Sequence, residues 1–206
     1  MPTSADRESI LSRVRGALAP LHDRAPLPDY TTEIAVMRNL IAGRDLTELL
    51  GERMKRVNGL LLTDAAALVA HLHAGGWTHG YCDPALWLKL APHFGPEFKV
   101  ETEFDRTRVD DYAFGITRAA GAIAETGTLV LNDATTSRRL AALTPWVHIA
   151  VLERAQIFAD LPQAVAALGR DSNVIWCTGP SKTADVEGIL IEGVHGPGQQ
   201  IALVVG

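Results

Sequence analysis

Two segments of the C-terminal half, Ala124–Leu131 (AETGTLVL) and Thr178–Asp185 (TGPSKTAD), constrain the fold more than any other part of the chain. Each lies where an apolar run meets a turn rich in glycine, hydroxyl and acidic side chains, and Gly193–Pro197 (GVHGP) is a third such turn. Open α/β folds bind their ligands at junctions of this kind. The three turns therefore predict the position of a functional site.

Working outward from these turns, apolar strand-like runs alternate with helical patterns. The predicted strands are Leu60–Leu62, Trp77–Tyr81, Phe98–Phe104, Val147–Leu152, Val174–Cys177, Ile189–Ile191 and Ile201–Val205, with Ile116, Ile123 and Leu129–Leu131 as further strand positions. The predicted helices are 5–19, Leu46–Val57, one capped by Asp64 that runs through His73, one from Pro84, one capped by Asp160 that runs to Leu168, and a short one near Ser181. This alternation predicts an α/β fold with a mixed, largely parallel sheet flanked by helices.

The first 30 residues read as an N-terminal helical arm. Prolines 20, 26 and 28 interrupt the chain directly after the first helical pattern. We therefore expect a helix and Pro-rich arm over 1–30 and a single α/β domain over 31–206.

Composition excludes several classes of partner. The net charge is −5 and no run of five basic residues occurs, so no nucleic-acid partner is expected. No stretch of 18 apolar residues and no apolar signal core is present, which predicts a cytoplasmic protein without membrane insertion. Cys82 and Cys177 belong to no Cys-x-x-Cys motif, so we expect no metal and no cofactor bound by this chain.

The Gly179–Asp185 turn is a candidate anion site. If a helix begins near Ser181, its free N–H groups, the Ser181 and Thr183 hydroxyls and the Lys182 ammonium converge there. The alternative is ordinary helix capping, in which Ser181 or Thr183 caps the helix and Asp185 interacts favourably with its dipole. The candidate ligand-binding residues in this turn are Gly179, Ser181, Lys182, Thr183 and Asp185.

Glu125 is a candidate catalytic residue. A carboxylate beside glycine backbone can act as a general base or as a nucleophile toward an activated acyl group. Alternatively, it accepts hydrogen bonds from the N–H groups of Thr126, Gly127 and Thr128 and so fixes the loop. Spacing leaves both open, and these three residues are candidate ligand contacts.

His195 and Arg139 complete the candidate site. His195 occupies a tight turn, where it can carry a proton at neutral pH or serve as a hydrogen-bonded structural residue. Arg139 follows the 132–137 loop and can close over an anionic ligand or remain a solvated cation.

These motifs together resemble the lactate utilisation protein C family, whose members carry a LUD domain. The matching residues lie within about 110–206 and include Phe114–Thr117, Ala122–Leu131, Arg139, Pro145, Val147–Val151, Thr178–Glu187 and Gly193–Pro197. The resemblance implies a fold similar to the ribose-phosphate isomerase and CoA-transferase group. It also implies a three-protein system that oxidises L-lactate to pyruvate, with iron–sulfur clusters on the partner subunits.

Two functional hypotheses follow from the resemblance and the residues. In the first, the chain is a non-redox subunit of an iron–sulfur lactate-oxidising system and binds its partner proteins and a small anionic metabolite. In the second, it is a free-standing isomerase or acyl- or CoA-transferase-like enzyme, with Glu125 as base or nucleophile. Because the second rests on likeness of fold, whether the chain is an enzyme stays open.

Overall fold

The chain separates into two compact units, residues 1–37 and 38–206. The computed structural model describes residues 4–21, 38–168, 173–184 and 187–206. Helix α1 spans Ser4–Leu18 in the first unit, and this confirms the predicted N-terminal helix. The predicted Pro-rich arm lies outside the described residues from position 22 onward.

The second unit alternates helices with strands, as the sequence predicts. Its helices are α2 (Leu46–Arg56), α3 (Ala65–Ala74), α4 (Pro84–Leu90), α5 (Arg139–Leu143) and α6 (Leu161–Leu168), with short 3-10 turns at Ala91–His93, Arg106–Asp111 and Arg154–Gln156. Its strands are β1 (Leu60–Leu62), β2 (His79–Cys82), β3 (Lys99–Glu101), β4 (Phe114–Arg118), β5 (Gly121–Ile123), β6 (Thr128–Asn132), β7 (Val147–Glu153), β8 (Ile157–Phe158), β9 (Val174–Thr178), β10 (Lys182–Ala184), β11 (Leu190–Glu192) and β12 (Gln199–Val205).

Side-chain caps fix the predicted helix starts. The Asp64 carboxylate accepts hydrogen bonds from the N–H groups of Ala66 and Ala67, and Asp160 accepts one from the N–H of Gln163. Such caps satisfy N–H groups that have no partner within the helix. The sequence prediction of these two helices is confirmed.

Six strands form an entirely parallel sheet in the order β1-β12-β7-β4-β2-β3. The two longest strands, β7 and β12, lie in the interior of the sheet and pair over seven residues from Val147–Gln199 to Glu153–Val205. They are apolar on both faces, which is typical of a parallel strand covered on both sides. The predicted α/β class and its largely parallel sheet are confirmed.

A second sheet of four strands, ordered β8-β5-β6-β9, contains two antiparallel pairs, β5–β6 and β6–β9, and one parallel pair, β5–β8. One apolar core contains α2 together with residues from both sheets, including Leu129 on β6 and Ala202 on β12. A second core lies on the opposite face of the parallel sheet, beneath α3 and α4, and includes Leu68 and Phe114. The parallel sheet is therefore covered on both faces.

One prediction in the last third of the chain is wrong. The short helix expected near Ser181 is strand β10, which pairs with β11 as an isolated antiparallel hairpin. Strand β12 lies inside the six-stranded sheet, between β1 and β7, and β11 does not join that sheet. Pairing with β11 provides hydrogen-bond partners for the backbone groups of 182–184 that face it, in place of those that a helix would provide.

Candidate functional site

Pairing of β6 with β9 brings the two glycine-rich motifs together. The register places Thr128 opposite Thr178, and their hydroxyl oxygens are 2.7 Å apart. The Thr126 hydroxyl continues this line, 2.7 Å from that of Thr128. Motifs that are 50 residues apart in sequence are thus joined by a chain of three hydroxyl groups.

Both motif glycines pack on the C-terminal half of α2. Gly127 has φ of +70°, and a Cβ there would lie 2.7 Å from the Arg53 carbonyl carbon. Gly179 has φ of +75°, and a Cβ there would lie 2.2 Å from the Val57 carbonyl oxygen. The left-handed conformation and the close approach of backbone both require glycine at these positions.

Backbone hydrogen bonds hold Ser181 beside the 195–197 turn. The Ser181 N–H donates to the Pro197 carbonyl at 2.9 Å, and the Gly193 N–H donates to the Ser181 carbonyl at the same distance. The predicted site residues Gly179, Ser181 and His195 consequently line one cavity of about 370 Å³. Three of the candidate residues that the sequence identified therefore meet.

This cavity, which we call the β9–β12 cavity, lies at the carboxyl end of β9 and at the amino ends of β7 and β12. Its polar floor comes from His148 and Gln200, which lie opposite each other on β7 and β12. Both are buried, at 1% and 4% exposure. Parallel pairing of two strands that are about 50 residues apart creates this floor.

His148 is a neutral hydrogen-bonding group. Its Nε2 atom is 3.0 Å from the Thr117 hydroxyl oxygen, and burial lowers its pKa to about 4. Removal from water disfavours the imidazolium form. At neutral pH the floor of the cavity therefore carries no charge from this residue.

Gln200 has unused hydrogen-bonding capacity. Its buried Oε1 atom has no hydrogen-bond partner among the described residues. A buried acceptor without a partner costs roughly 1–3 kcal/mol. A ligand that donates a hydrogen bond to this oxygen would remove that cost.

Cys177 also lines the cavity but is not an activated nucleophile. Burial raises the pKa of its thiol to about 11, although the Gln200 side chain has a smaller opposing effect. The thiolate is the nucleophilic form of cysteine, and it is not populated at neutral pH with such a pKa.

Glu125 contacts the start of helix α6, outside the β9–β12 cavity. Its Oε1 atom accepts a hydrogen bond of 2.9 Å from the N–H of Leu161, the first residue of α6. The hydrogen bonds expected from the N–H groups of Thr126–Thr128 are replaced by this one. Glu125 does not line the β9–β12 cavity.

Lys182 and Thr183 belong to strand β10 and do not begin a helix. Because successive side chains of a strand point to opposite faces, the Lys182 side chain points away from the Thr183 side chain. The Lys182 ammonium is 3.2 Å from the Glu192 carboxylate across the hairpin. The predicted helix N-terminus is therefore absent, and Asp185 lies outside the described residues.

Arg139 lies away from the cavity. It begins α5, its Nε atom is 3.0 Å from the Asp133 carboxylate, and it lines a separate cavity with Phe104 and Arg138. The expected closure of Arg139 over the anion site stays a prediction.

The sequence analysis did not identify Gln200 or His148 as residues of the site. Their positions in the sequence give a weak signal. Each is the second residue of a largely apolar strand, and the amino ends of parallel strands lie together at one end of the sheet. Among the described ranges, no three histidine, cysteine or acidic side chains gather as metal ligands. In the same ranges, no helix is both long and apolar enough to cross a bilayer.

The parallel sheet, the second sheet and the glycine-rich turns together define an α/β protein of the LUD-domain class. The LUD domain matches residues 61–205, and the chain belongs to this family. The resemblance drawn from the motifs is therefore confirmed.

Several relatives carry names from lactate metabolism. The chain is 35% identical over 128 residues to lactate utilization protein C of Deinococcus radiodurans, covering 60% of this chain and 59% of that protein. It is 34% identical over 106 residues to the Bacillus licheniformis protein of the same name, covering 48% of this chain and 44% of that one. The chain thus spans about half the length of the curated relatives it matches.

A solved structure shares the fold. The crystal structure of a DUF162-family protein from Deinococcus radiodurans is similar, with a TM-score of 0.56 and 23% identity over 78% of this chain and 96% of that chain. At this identity the likeness shows the fold alone.

Proposed function

We propose that this protein is a non-redox subunit of a lactate-utilisation system that oxidises L-lactate to pyruvate, and that it binds a small hydroxy acid in the β9–β12 cavity. Iron–sulfur clusters are carried by partner chains in this proposal. Support for the system comes from relatives named lactate utilization protein C, of which this chain matches about half the length.

The observation that carries the ligand proposal is the unpaired Gln200 Oε1 atom at the floor of the cavity. An α-hydroxy acid has a hydroxyl group that can donate to this oxygen. Ser181 and His195 line the same cavity, and in this proposal they bind its carboxylate. Pyruvate has a carbonyl in place of the hydroxyl and leaves Gln200 unpaired. L-lactate is therefore expected to bind at least about tenfold more tightly than pyruvate.

Isothermal titration of the full chain with L-lactate and pyruvate tests this proposal. Gln200→Ala is expected to abolish the preference for lactate. Gln199→Ala is the matched control, because Gln199 bonds the ring nitrogen of His71 at 2.9 Å and does not line the cavity. Equal affinities for lactate and pyruvate in the wild type would reject the proposed binding mode.

Reconstitution tests the role in the system. The chain is purified with iron–sulfur proteins from its own host, and dye-coupled lactate oxidation is measured with and without it. We expect the rate to fall at least tenfold when this chain is left out. Full activity in its absence would contradict the subunit proposal.

The alternative, a free-standing isomerase or transferase, depends on Glu125. Its contact with the Leu161 N–H supports a structural role, since the carboxylate already has a backbone donor. Glu125→Gln keeps an acceptor oxygen and is expected to cost at most about 1 kcal/mol in stability, with near-normal lactate oxidation. A stable variant whose activity falls at least about 100-fold would favour the enzyme instead.

A further inference from the structure

The carboxyl edge of the parallel sheet has a topological switch point between β2 and β4. The chain that leaves β2 continues to β3 on one side, whereas the chain that leaves β4 continues to β7 on the other. In open α/β sheets, ligands bind in the crevice outside the strand ends where the connections diverge in this way.

A cavity of about 360 Å³ opens at this edge, at the opposite end of β7 and β12 from the β9–β12 cavity. One wall is aliphatic, with Leu86 and Leu90 on α4, Val151 and Leu152 on β7, and Val205 on β12. Its volume is that of a pocket for a small organic molecule, and its wall favours an apolar body. We name it the switch-point cavity.

Arg118, the last residue of β4, provides a fixed positive charge in this cavity. Its Nε atom donates to the Asp83 carboxylate at 2.8 Å, while its side chain remains 41% exposed. Asp83 is 1% exposed, follows β2, and also accepts the Ala85 N–H at the start of α4. The buried carboxylate therefore orients the guanidinium, and the bond through Nε leaves the two terminal nitrogens for a planar anion.

Two further charges lie at the rim of the cavity. Lys89 is exposed and belongs to no ion pair among the described residues. Glu153 is engaged in a capping box with Gln156, in which its side chain accepts a backbone N–H. At the rim, the Lys89 ammonium is therefore available to an anion, whereas the Glu153 carboxylate already accepts a hydrogen bond.

We propose that the switch-point cavity binds a small organic anion with an apolar body. The carboxylate or phosphate head contacts Arg118 and Lys89, and the body packs on the aliphatic wall. This site is separate from the β9–β12 cavity, and its test does not depend on whether the lactate proposal is correct.

Titration of the full chain with a homologous series tests the proposal. The probes are butyrate, pentanoate and hexanoate, with 1-hexanol as the uncharged control and hexyl phosphate as the phosphate counterpart. Each methylene is expected to tighten binding about three- to fourfold, because it moves apolar surface out of water. Hexanol should bind at least about tenfold more weakly than the better of the two six-carbon anions, since it lacks the charge-assisted hydrogen bonds. The stronger of hexanoate and hexyl phosphate identifies the preferred head group.

Variants locate the binding. Lys89→Gln should weaken hexanoate binding about three- to tenfold, with Lys55→Gln on α2 as an exposed control that changes it less than about twofold. Removing Arg118 alone would strand the buried Asp83 charge, so the double variant Asp83→Asn/Arg118→Gln is used, and it should weaken binding at least about tenfold. Lactate affinity should stay unchanged in all three variants. No binding at millimolar concentrations, no dependence on chain length, or equal affinity in the folded double variant would overturn the proposal.

Discussion

At the scale of single residues, burial determines what His148, Gln200 and Asp83 can do. Each side chain is at most 4% exposed, and the three differ in their hydrogen-bond partners. His148 is neutral beside a threonine hydroxyl, Gln200 retains an unpaired oxygen, and Asp83 forms an ion pair with Arg118. Because most buried polar groups are hydrogen-bonded, the unpaired Gln200 oxygen is the atom of these three residues that indicates a ligand.

The pH dependence of stability should report on His148. Its pKa is lowered from 6.5 to about 4 in the folded protein, so below pH 6.5 the unfolded chain binds an extra proton. Stability therefore falls as the pH falls through this window, by about 2 kcal/mol between pH 7 and pH 5. Urea unfolding at pH 5, 6 and 7 measures the effect. His148→Gln should remove most of this slope, and an unchanged slope in that variant would show that another group is responsible.

Gly127 should be far less tolerant of a side chain than Gly43, which also has a positive φ but lies in open space. In Gly127→Ala the new Cβ meets the Arg53 and Met54 backbone, which adds a steric clash to the cost of a left-handed conformation. We expect a loss of about 2–4 kcal/mol in the free energy of unfolding. Gly43→Ala is the control, because Gly43 has φ of +75° and nothing within 4 Å of its Cβ, and should cost about 1 kcal/mol. Equal losses would mean that the packing on α2 is unimportant.

At the scale of elements, the β10–β11 hairpin replaces the predicted helix and changes the role of Lys182. The strand turns this side chain toward Glu192, whose carboxylate also accepts a hydrogen bond from Asn58 at 2.8 Å. These two contacts lower the pKa of Glu192, with the Asn58 hydrogen bond as the larger cause. The hairpin is thereby connected to the end of α2, next to the motif turns that pack there.

Lys182→Ala should therefore leave ligand binding in the β9–β12 cavity nearly unchanged. The lost ion pair is partly exposed and worth at most about 1 kcal/mol of stability. Titration of L-lactate into the variant should give an affinity within about twofold of the wild type. A tenfold or greater loss of L-lactate affinity would show that Lys182 does contribute to the binding site.

At the scale of the whole molecule, the described apolar cores are built from residues of the second unit. The four core clusters begin at Ile41 and extend to Val205. The six-stranded sheet and both cavities belong to the same unit. A domain that contains its own core is expected to fold alone.

The fragment 38–206 should therefore fold independently. We expect a cooperative thermal transition with a Tm within about 3 °C of the full chain, which corresponds to a change of roughly 1 kcal/mol. Circular dichroism at both far- and near-ultraviolet wavelengths measures the secondary structure and the packing. A fragment without a cooperative transition would show that residues 1–37 are needed for the fold.

Sequence alone determined the features that depend on neighbouring residues. Asp64 and Asp160 start helices because their carboxylates reach N–H groups two or three residues ahead. The apolar run at Val147–Leu152 predicts a covered strand because both of its faces must be buried. The glycine-rich motifs also indicated the family and three residues of the cavity, Gly179, Ser181 and His195.

Tertiary structure alone decided what depends on residues distant in sequence. Residues 182–184 are a strand because Leu190–Glu192 pairs with them, which no local pattern indicates. Glu125 caps a helix that begins 36 residues later, and His148 meets Gln200 only through the parallel register of β7 and β12. The switch point between β2 and β4 exists only once the strand order is fixed. The physical reason is that strand pairing and burial are non-local, whereas caps and periodicity act within a few residues.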